Sequence, residues 1–229
     1  MVRVISFDVD GTLVDSSFTE HVWLEGIPQL YANKHSIDMD SAKRIVLEEY
    51  EKVGEDDIRW YQLDYWFRRF DLSESPHNLL NKYKHHIAVY EDVIPVLESL
   101  SGDYILIVAS NAHRDFLSLT LSEIKSYFDY IFSAVSDFNE VRKHENFYWK
   151  VCRTLNILPE EMAHVGDHYK FDYKVPSSLG VHAFYLRRLT HEKKNPEEID
   201  LPLVTNLKDF ENEVRHFSSD SITSTDRDI

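Results

Sequence analysis

Six short β-rich runs, separated by stretches with helical periodicity, constrain the fold of this chain more than any other feature. Val2–Phe7 and Tyr104–Ala109 are mostly apolar, and the second opens from the turn Ser101-Gly102-Asp103. Further runs lie at Tyr130–Ser133, Ala163–Val165, His182–Leu186 and Leu203–Thr205. Apolar residues recur at three- and four-residue spacing between them, in Val93–Leu100, Asp115–Ser126, Phe147–Leu155 and Tyr173–Leu179. Strands that alternate with helices predict an α/β fold, in which a mostly parallel sheet is covered by helices on both faces.

Residues 16–88 break that rhythm. The segment carries no β-rich run, and Ala42, Ile45, Val46, Tyr50 and Val53 form one apolar helical stripe. Trp60, Tyr61, Tyr65, Trp66, Phe67 and Phe70 crowd the following stretch, a pattern that reads as helix core ahead of a ligand cage. The organisation expected is an α/β core from residues 1–15 and 89–217, a helical unit inserted at 16–88, and a polar, disordered tail at 218–229.

The formal charge of -15 argues against nucleic acid as a partner, because backbone binding needs clustered cations. The nearest approach to a cluster is Lys193-Lys194 with Arg187-Arg188, which reads as solvated loop residues. No apolar run approaches the ~20 residues that span a bilayer, and the start of the chain is wrong for a secretory signal. A lone cysteine, Cys152, forms no internal disulfide and reads as a packed core thiol. The expectation is a soluble, cytoplasmic protein.

Three strand ends carry chemistry. Asp8-Val9-Asp10-Gly11 follows the first run, and alternation sends Asp8 and Asp10 to the same side if the strand continues. In an open α/β sheet that edge binds ligands. One carboxylate can attack phosphorus while the other protonates the leaving oxygen; the bland alternative is a turn that ends a strand. An EF-hand is excluded, since the remaining oxygen ligands and the closing Glu are missing at the required spacing. The second run ends in Ala109-Ser110-Asn111, and the fourth in Val165-Gly166-Asp167, with Asp172 five residues later. Asp8, Asp167 and Asp172 together suit a hard divalent cation such as Mg²⁺. Lys143, just ahead of the Phe147–Leu155 helix, can offset the charge of nucleophile and phosphoryl group.

These residues resemble the signatures of the haloacid dehalogenase-like superfamily. Asp8-Val9-Asp10-Gly11-Thr12-Leu13-Val14-Asp15-Ser16 is similar to the first, Ser110-Asn111 to the second, Lys143 to the third, and Gly166-Asp167 with Asp172 to the fourth, over residues 2 to about 210. The resemblance implies a Rossmann-like core and a helical cap at 16–88 that closes over the site. It implies that Asp8 forms an aspartyl-phosphate and that Asp10 is the general acid/base. It further implies that Mg²⁺ sits on Asp8, the backbone carbonyl of Asp10, Asp167 and Asp172, the last directly or through water. Thr12, Ser110, Asn111 and Lys143 are then the substrate-binding residues. Two departures stand out. His144 follows the third-motif lysine where many relatives have proline, and helix counting leaves Arg142 as an alternative to Lys143 one residue away. Lys143 is preferred on residue type, and His144 reads as an exposed loop residue.

The family's dehalogenases lack a carboxylate at the position of Asp10, and a halide leaving group needs no proton, whereas an alkoxide does. Asp10 therefore selects phosphate-ester chemistry. The expected activity is Mg²⁺-dependent hydrolysis of a small phosphorylated metabolite by a monomer or homodimer. The alternatives are a sugar-phosphate mutase, a 2-haloacid dehalogenase, or a silent binding protein on the same fold. Glu20, His21, Trp23 and Glu25 can face the substrate or be ordinary helix positions, and the sequence does not choose between these.

Overall fold

The computed structural model describes residues 1–188 and 203–223, with side chains through residue 216. Six parallel strands form one sheet: β1 (Val4–Phe7), β2 (Ile105–Ser110), β3 (Tyr130–Ser133), β4 (Met162–Gly166), β5 (His182–Leu186) and β6 (Leu203–Val204). Their order is β3-β2-β1-β4-β5-β6, so the winding direction reverses between β1 and β4. That reversal opens a crevice at the carboxyl ends of the two central strands, where open α/β sheets take their ligands. The strand runs read from the sequence agree with these elements to within two residues at each end.

Alternation along the central strands divides two apolar layers. Ile5, Phe7, Ala163 and Val165 face one side, where helices at Val93–Leu100, Arg114–Thr120 and Leu207–Thr223 supply Val96, Leu97, Leu117, Phe210 and Val214. Val4 and Met162 face the other, packed under a helix at Glu145–Leu155 through Phe147, Tyr148, Val151 and Cys152. A side chain the size of Leu or Phe gains ~1.5–3 kcal/mol on full burial, so both layers contribute heavily to stability.

Between β1 and β2 the chain is helical. It runs through Ser17–His21, a wider π-type turn at Val22–Gly26, then Ile27–His35, Met39–Val53, Leu63–Arg69 and Pro76–Tyr83. Asp38 caps Met39–Val53 by accepting from the Ser41 amide at 2.9 Å, and Gly54 ends it at φ 76°. Ala42, Val46 and Tyr50 are the buried stripe of that helix, joined by Trp66, Phe67 and Phe70, while Ile45, Val53, Trp60, Tyr61 and Tyr65 are half-buried. The chain leaves and re-enters the α/β core side by side: Asp15 N–H donates to the Ala88 carbonyl at 3.0 Å and Tyr90 N–H to the Leu13 carbonyl at 3.1 Å. The helical unit also packs on the core, since Trp23 stacks on Phe116 of the Arg114–Thr120 helix with centroids 5.6 Å apart.

Four sequence expectations change. The helix expected over Asp115–Ser126 stops at Thr120, where the chain tightens so that Leu121 and Ile124 enter the core. The helix expected at Tyr173–Leu179 is α-helical only over Val175–Ser178, and its first two residues belong to a π-type turn at Tyr169–Lys174. The last helix continues to Thr223, which takes in residues 218–223 of the expected tail; residues 224–229 lie outside the described residues. Arg188 is not a solvated loop cation. It is buried over the Tyr90 ring, donates to the Thr12 carbonyl at 2.7 Å and pairs with Asp92 at 3.0 Å. Lys193-Lys194 lies outside the described residues. Among the described residues, no helix is long and apolar enough to cross a membrane.

Candidate active site

The crevice between β1 and β4 widens into a cavity of about 810 Å³ under the helical unit. Its floor comes from strand ends: Asp8, Asp10 and Gly11 after β1, Ser110 and Asn111 at β2, and Asp167 after β4. Lys143 and Asp172 complete the floor, and Thr19, Glu20, Trp23, Trp60 and Tyr61 of the helical unit line the opposite wall. Of the four undecided helix residues, Glu20 and Trp23 therefore line the cavity. His21 instead stacks on His86 at 3.7 Å, and Glu25 faces Lys43 at 3.9 Å.

Asp8 and Lys143 are both buried, with Lys143 Nζ 2.5 Å from Asp8 Oδ1. The same ammonium donates to the Ala109 carbonyl at 3.1 Å and pairs with Asp172. Lys143, rather than Arg142, is thus the cation that meets Asp8. Arg142 has φ 66°, in the left-handed region of backbone space. Its amide donates to Asn111 Oδ1 at 2.6 Å, and its guanidinium pairs with Glu55 and Asp56 of the helical unit at 3.2 Å. His144 is exposed, as expected, and sits at the start of the Glu145–Leu155 helix.

One ammonium stands against a crowd of carboxylates. Asp8, Asp167 and Asp172 each place an oxygen within 4.8 Å of the others. Loss of hydration pushes the Asp8 carboxyl well above its usual range, against the pull of Lys143, with Asp172 and Asp167 adding to the rise. The surrounding protein, then the Asp172 charge, push Asp167 up to about 7. Asp172 is held below the usual carboxylate range despite full burial, because Lys143 and His164 stabilise its charge. Asp10 is pushed up to about 6 by desolvation, partly offset by Thr19, whose hydroxyl donates to Asp10 Oδ1 at 3.1 Å. Hard oxygen donors with uncompensated negative charge fit a hard divalent cation.

Two glycines make this crowding feasible. Gly11 has φ 75°, and a Cβ there would lie 2.6 Å from Asp167 Cγ. A Cβ on Gly166 would lie 2.6 Å from Asp172 Cβ. Both carboxylates sit where only a residue without a side chain leaves room.

Ser110 accepts from the Ala112 amide at 3.1 Å, which leaves its own hydrogen free to donate into the cavity it lines. Thr12 does not join it: its side chain is fully buried away from the cavity, and Oγ1 has no hydrogen-bond partner among the described residues. Sequence reasoning passed over Thr19 and His164, and read Arg188 as a solvated loop cation. Thr19 stands nine residues from Asp10 with no motif to mark it. A strand position occupied by His where its neighbours are apolar was the available signal for His164.

Fold and site define a class, an α/β enzyme with an acidic, lysine-bridged centre at the switch point of a parallel sheet. The chain belongs to the haloacid dehalogenase-like hydrolases, whose family model matches residues 2–180. Among curated proteins it is 25% identical over 198 residues to a glyceraldehyde 3-phosphate phosphatase of Pyrococcus furiosus, covering 81% of each chain. It is also 25% identical over 170 residues to the GMP/IMP nucleotidase YrfG of Escherichia coli, covering 72% of this chain and 74% of that one. Among solved structures, a HAD phosphatase from Thermococcus onnurineus superposes with a TM-score of 0.79 at 25% identity, over 93% of this chain and 98% of the other. The L-2-haloacid dehalogenase of Xanthobacter autotrophicus, at 18% identity, shares the fold alone, with a TM-score of 0.59 over 94% of this chain and 99% of that one.

Proposed function

We propose that the chain is a Mg²⁺-dependent phosphatase that hydrolyses a small phosphate monoester through a phosphoryl group carried on Asp8. The carrying observation is the pairing of two carboxylates with opposite needs at one strand end. Asp8 faces the Lys143 ammonium at 2.5 Å, which opposes the burial that raises its carboxyl and favours the ionised form a nucleophile requires, and Asp10, pushed up to about 6, is poised to carry a proton near neutral pH. The phosphatase and nucleotidase among the relatives support the same chemistry at the level of phosphate esters.

In the first half-reaction an Asp8 oxygen attacks phosphorus, the ester P–O bond breaks, and the leaving oxygen takes the Asp10 proton. In the second, Asp10 takes a proton from water as that water attacks phosphorus, and the bond to Asp8 breaks to return the carboxylate and free phosphate. Asp8, Asp167, Asp172 and the Asp10 carbonyl would hold Mg²⁺, which supplies charge neutralisation for the phosphoryl oxygens. Lys143 and Ser110 would bind those oxygens directly. The helical unit at 16–88 would act as the cap, with Glu20, Trp23, Trp60 and Tyr61 meeting the leaving group.

Purified protein should release p-nitrophenol from p-nitrophenyl phosphate with Mg²⁺, and lose that activity in EDTA and in Asp8→Asn. Wild-type activity in Asp8→Asn sinks the reading, and halide release from a 2-haloacid without phosphatase activity replaces it.

A further inference from the structure

A line of polar groups runs through the otherwise apolar layer beneath the acidic floor. Period-two alternation puts Ser6 of β1 and His164 of β4 on the same side as Val4 and Met162, and the parallel register sets them opposite each other. Ser6, His164 and Tyr148 are all fully buried. Ser6 Oγ lies 2.8 Å from His164 Nδ1, and His164 Nε2 lies 3.0 Å from Asp172 Oδ1. Tyr148 Oη lies 3.2 Å from His164 Nε2 and donates to the Phe171 carbonyl at 2.7 Å.

One proton arrangement satisfies the whole line. Ser6 donates to Nδ1, the Nε2–H of a neutral imidazole donates to the Asp172 carboxylate, and Tyr148 gives its hydrogen to Phe171. The other Asp172 oxygen accepts from the His168 amide at 3.0 Å, so both oxygens are tied down. Polar groups buried in an apolar layer are destabilising unless fully paired. Here they converge on Asp172, which also holds Lys143.

We infer that His164 is a positioning residue: locked in one tautomer by Ser6, it fixes the Asp172 carboxylate and, through it, Lys143 and the metal-holding end of the acidic cluster. Its kinetic readout rests on the phosphatase reading of Asp8, whereas its metal readout does not. The test compares His164→Leu, His164→Gln and Ser6→Ala with wild type, by Mg²⁺ titration of the melting temperature and by steady-state hydrolysis of p-nitrophenyl phosphate. His164→Leu should lower kcat and apparent Mg²⁺ affinity ~10–100-fold, as loss of a ligand-orienting hydrogen bond does elsewhere. KM should move less than kcat, since His164 reaches the substrate only through Lys143. His164→Gln, whose amide can still donate to Asp172, should recover most of the loss, and Ser6→Ala should show a smaller loss of the same kind. A wild-type kcat and Mg²⁺ midpoint in His164→Leu overturns the inference, as does an equal loss in the Leu and Gln variants, which marks a packing role only. If His164→Leu fails to fold, an unchanged Mg²⁺ midpoint and kcat in Ser6→Ala overturns it instead. Should wild type release no phosphate, the phosphatase reading fails, and the Mg²⁺ midpoints still decide the role of His164.

Discussion

Replacing Lys143 by methionine isolates the electrostatic tension on which the site is built. The side chain keeps most of its apolar stem and loses its charge, so Asp8 and Asp172 lose the cation between them and the Ala109 carbonyl loses its donor. The wild-type ammonium is buried, 2.5 Å from Asp8 Oδ1, and its pKa is raised above the ordinary lysine value by both carboxylates, against the effect of burial. Removing one partner of a buried ion pair destabilises by ~3–5 kcal/mol, because the remaining charge is left unpaired. For a chain of this size each kcal/mol moves Tm by ~2–4 °C, so Lys143→Met should melt roughly 6–20 °C lower in EDTA at pH 8. The sign of the pH dependence follows from the carboxyls. Without Lys143 the folded pKa of Asp8 rises further above its unfolded value and that of Asp172 rises from below its own, so the deficit should shrink as pH falls and protons replace the missing cation. Mg²⁺ should shrink it too, by supplying charge at the same cluster. Thermal melts of both proteins at pH 8 and pH 5.5, with EDTA and with Mg²⁺, read all of this. A Lys143→Met variant melting within about 2 °C of wild type in EDTA at pH 8, less than 1 kcal/mol by the same scaling, refutes the reasoning.

The remaining predictions concern close approach and burial. Gly166→Ala brings a Cβ to 2.6 Å from Asp172 Cβ, so it should lower kcat at least tenfold and weaken Mg²⁺ binding; a wild-type Mg²⁺ midpoint in a Mg²⁺-titrated melt would mean that Asp172 is not tightly placed. Cys152 is 2% exposed and its thiol is pushed up to about 11 by burial. Its folded pKa lies above the unfolded value, so the thiol stays protonated and slow to react with iodoacetamide at pH 8.5 in the native state, and becomes fast in urea; equal native and denatured rates contradict that burial.

How far the sequence carries depends on how local each determinant is. β1 and β4 were legible because alternation and an acidic turn lie within ten residues of each other, and Asp8, Asp10, Asp167 and Asp172 follow from position at those turns. The helical unit was legible because Ala42, Val46 and Tyr50 keep one face over two turns. Long-range pairings were not legible. Arg188 reads as half of an exposed basic pair until Thr12, 176 residues earlier, is brought beneath it. His164 meets Ser6 across a separation of 158 residues. The helix end at Thr120 carries no glycine or proline to announce it; burial of Leu121 and Ile124 decides it. Thr12 shows the opposite failure, since motif position suggested a substrate contact and the turn folds its side chain inward.

Whether Asp8 carries the phosphoryl group can be observed directly. An Asp10→Asn variant given p-nitrophenyl phosphate needs little proton for its leaving group in the first step, yet lacks the base for the second, so the intermediate should accumulate. Intact mass should rise by one phosphoryl group per chain in a single burst, hydroxylamine should remove it, and peptide mapping should place it on Asp8. Turnover with no covalent adduct, or an adduct on any other residue, contradicts the account at its centre.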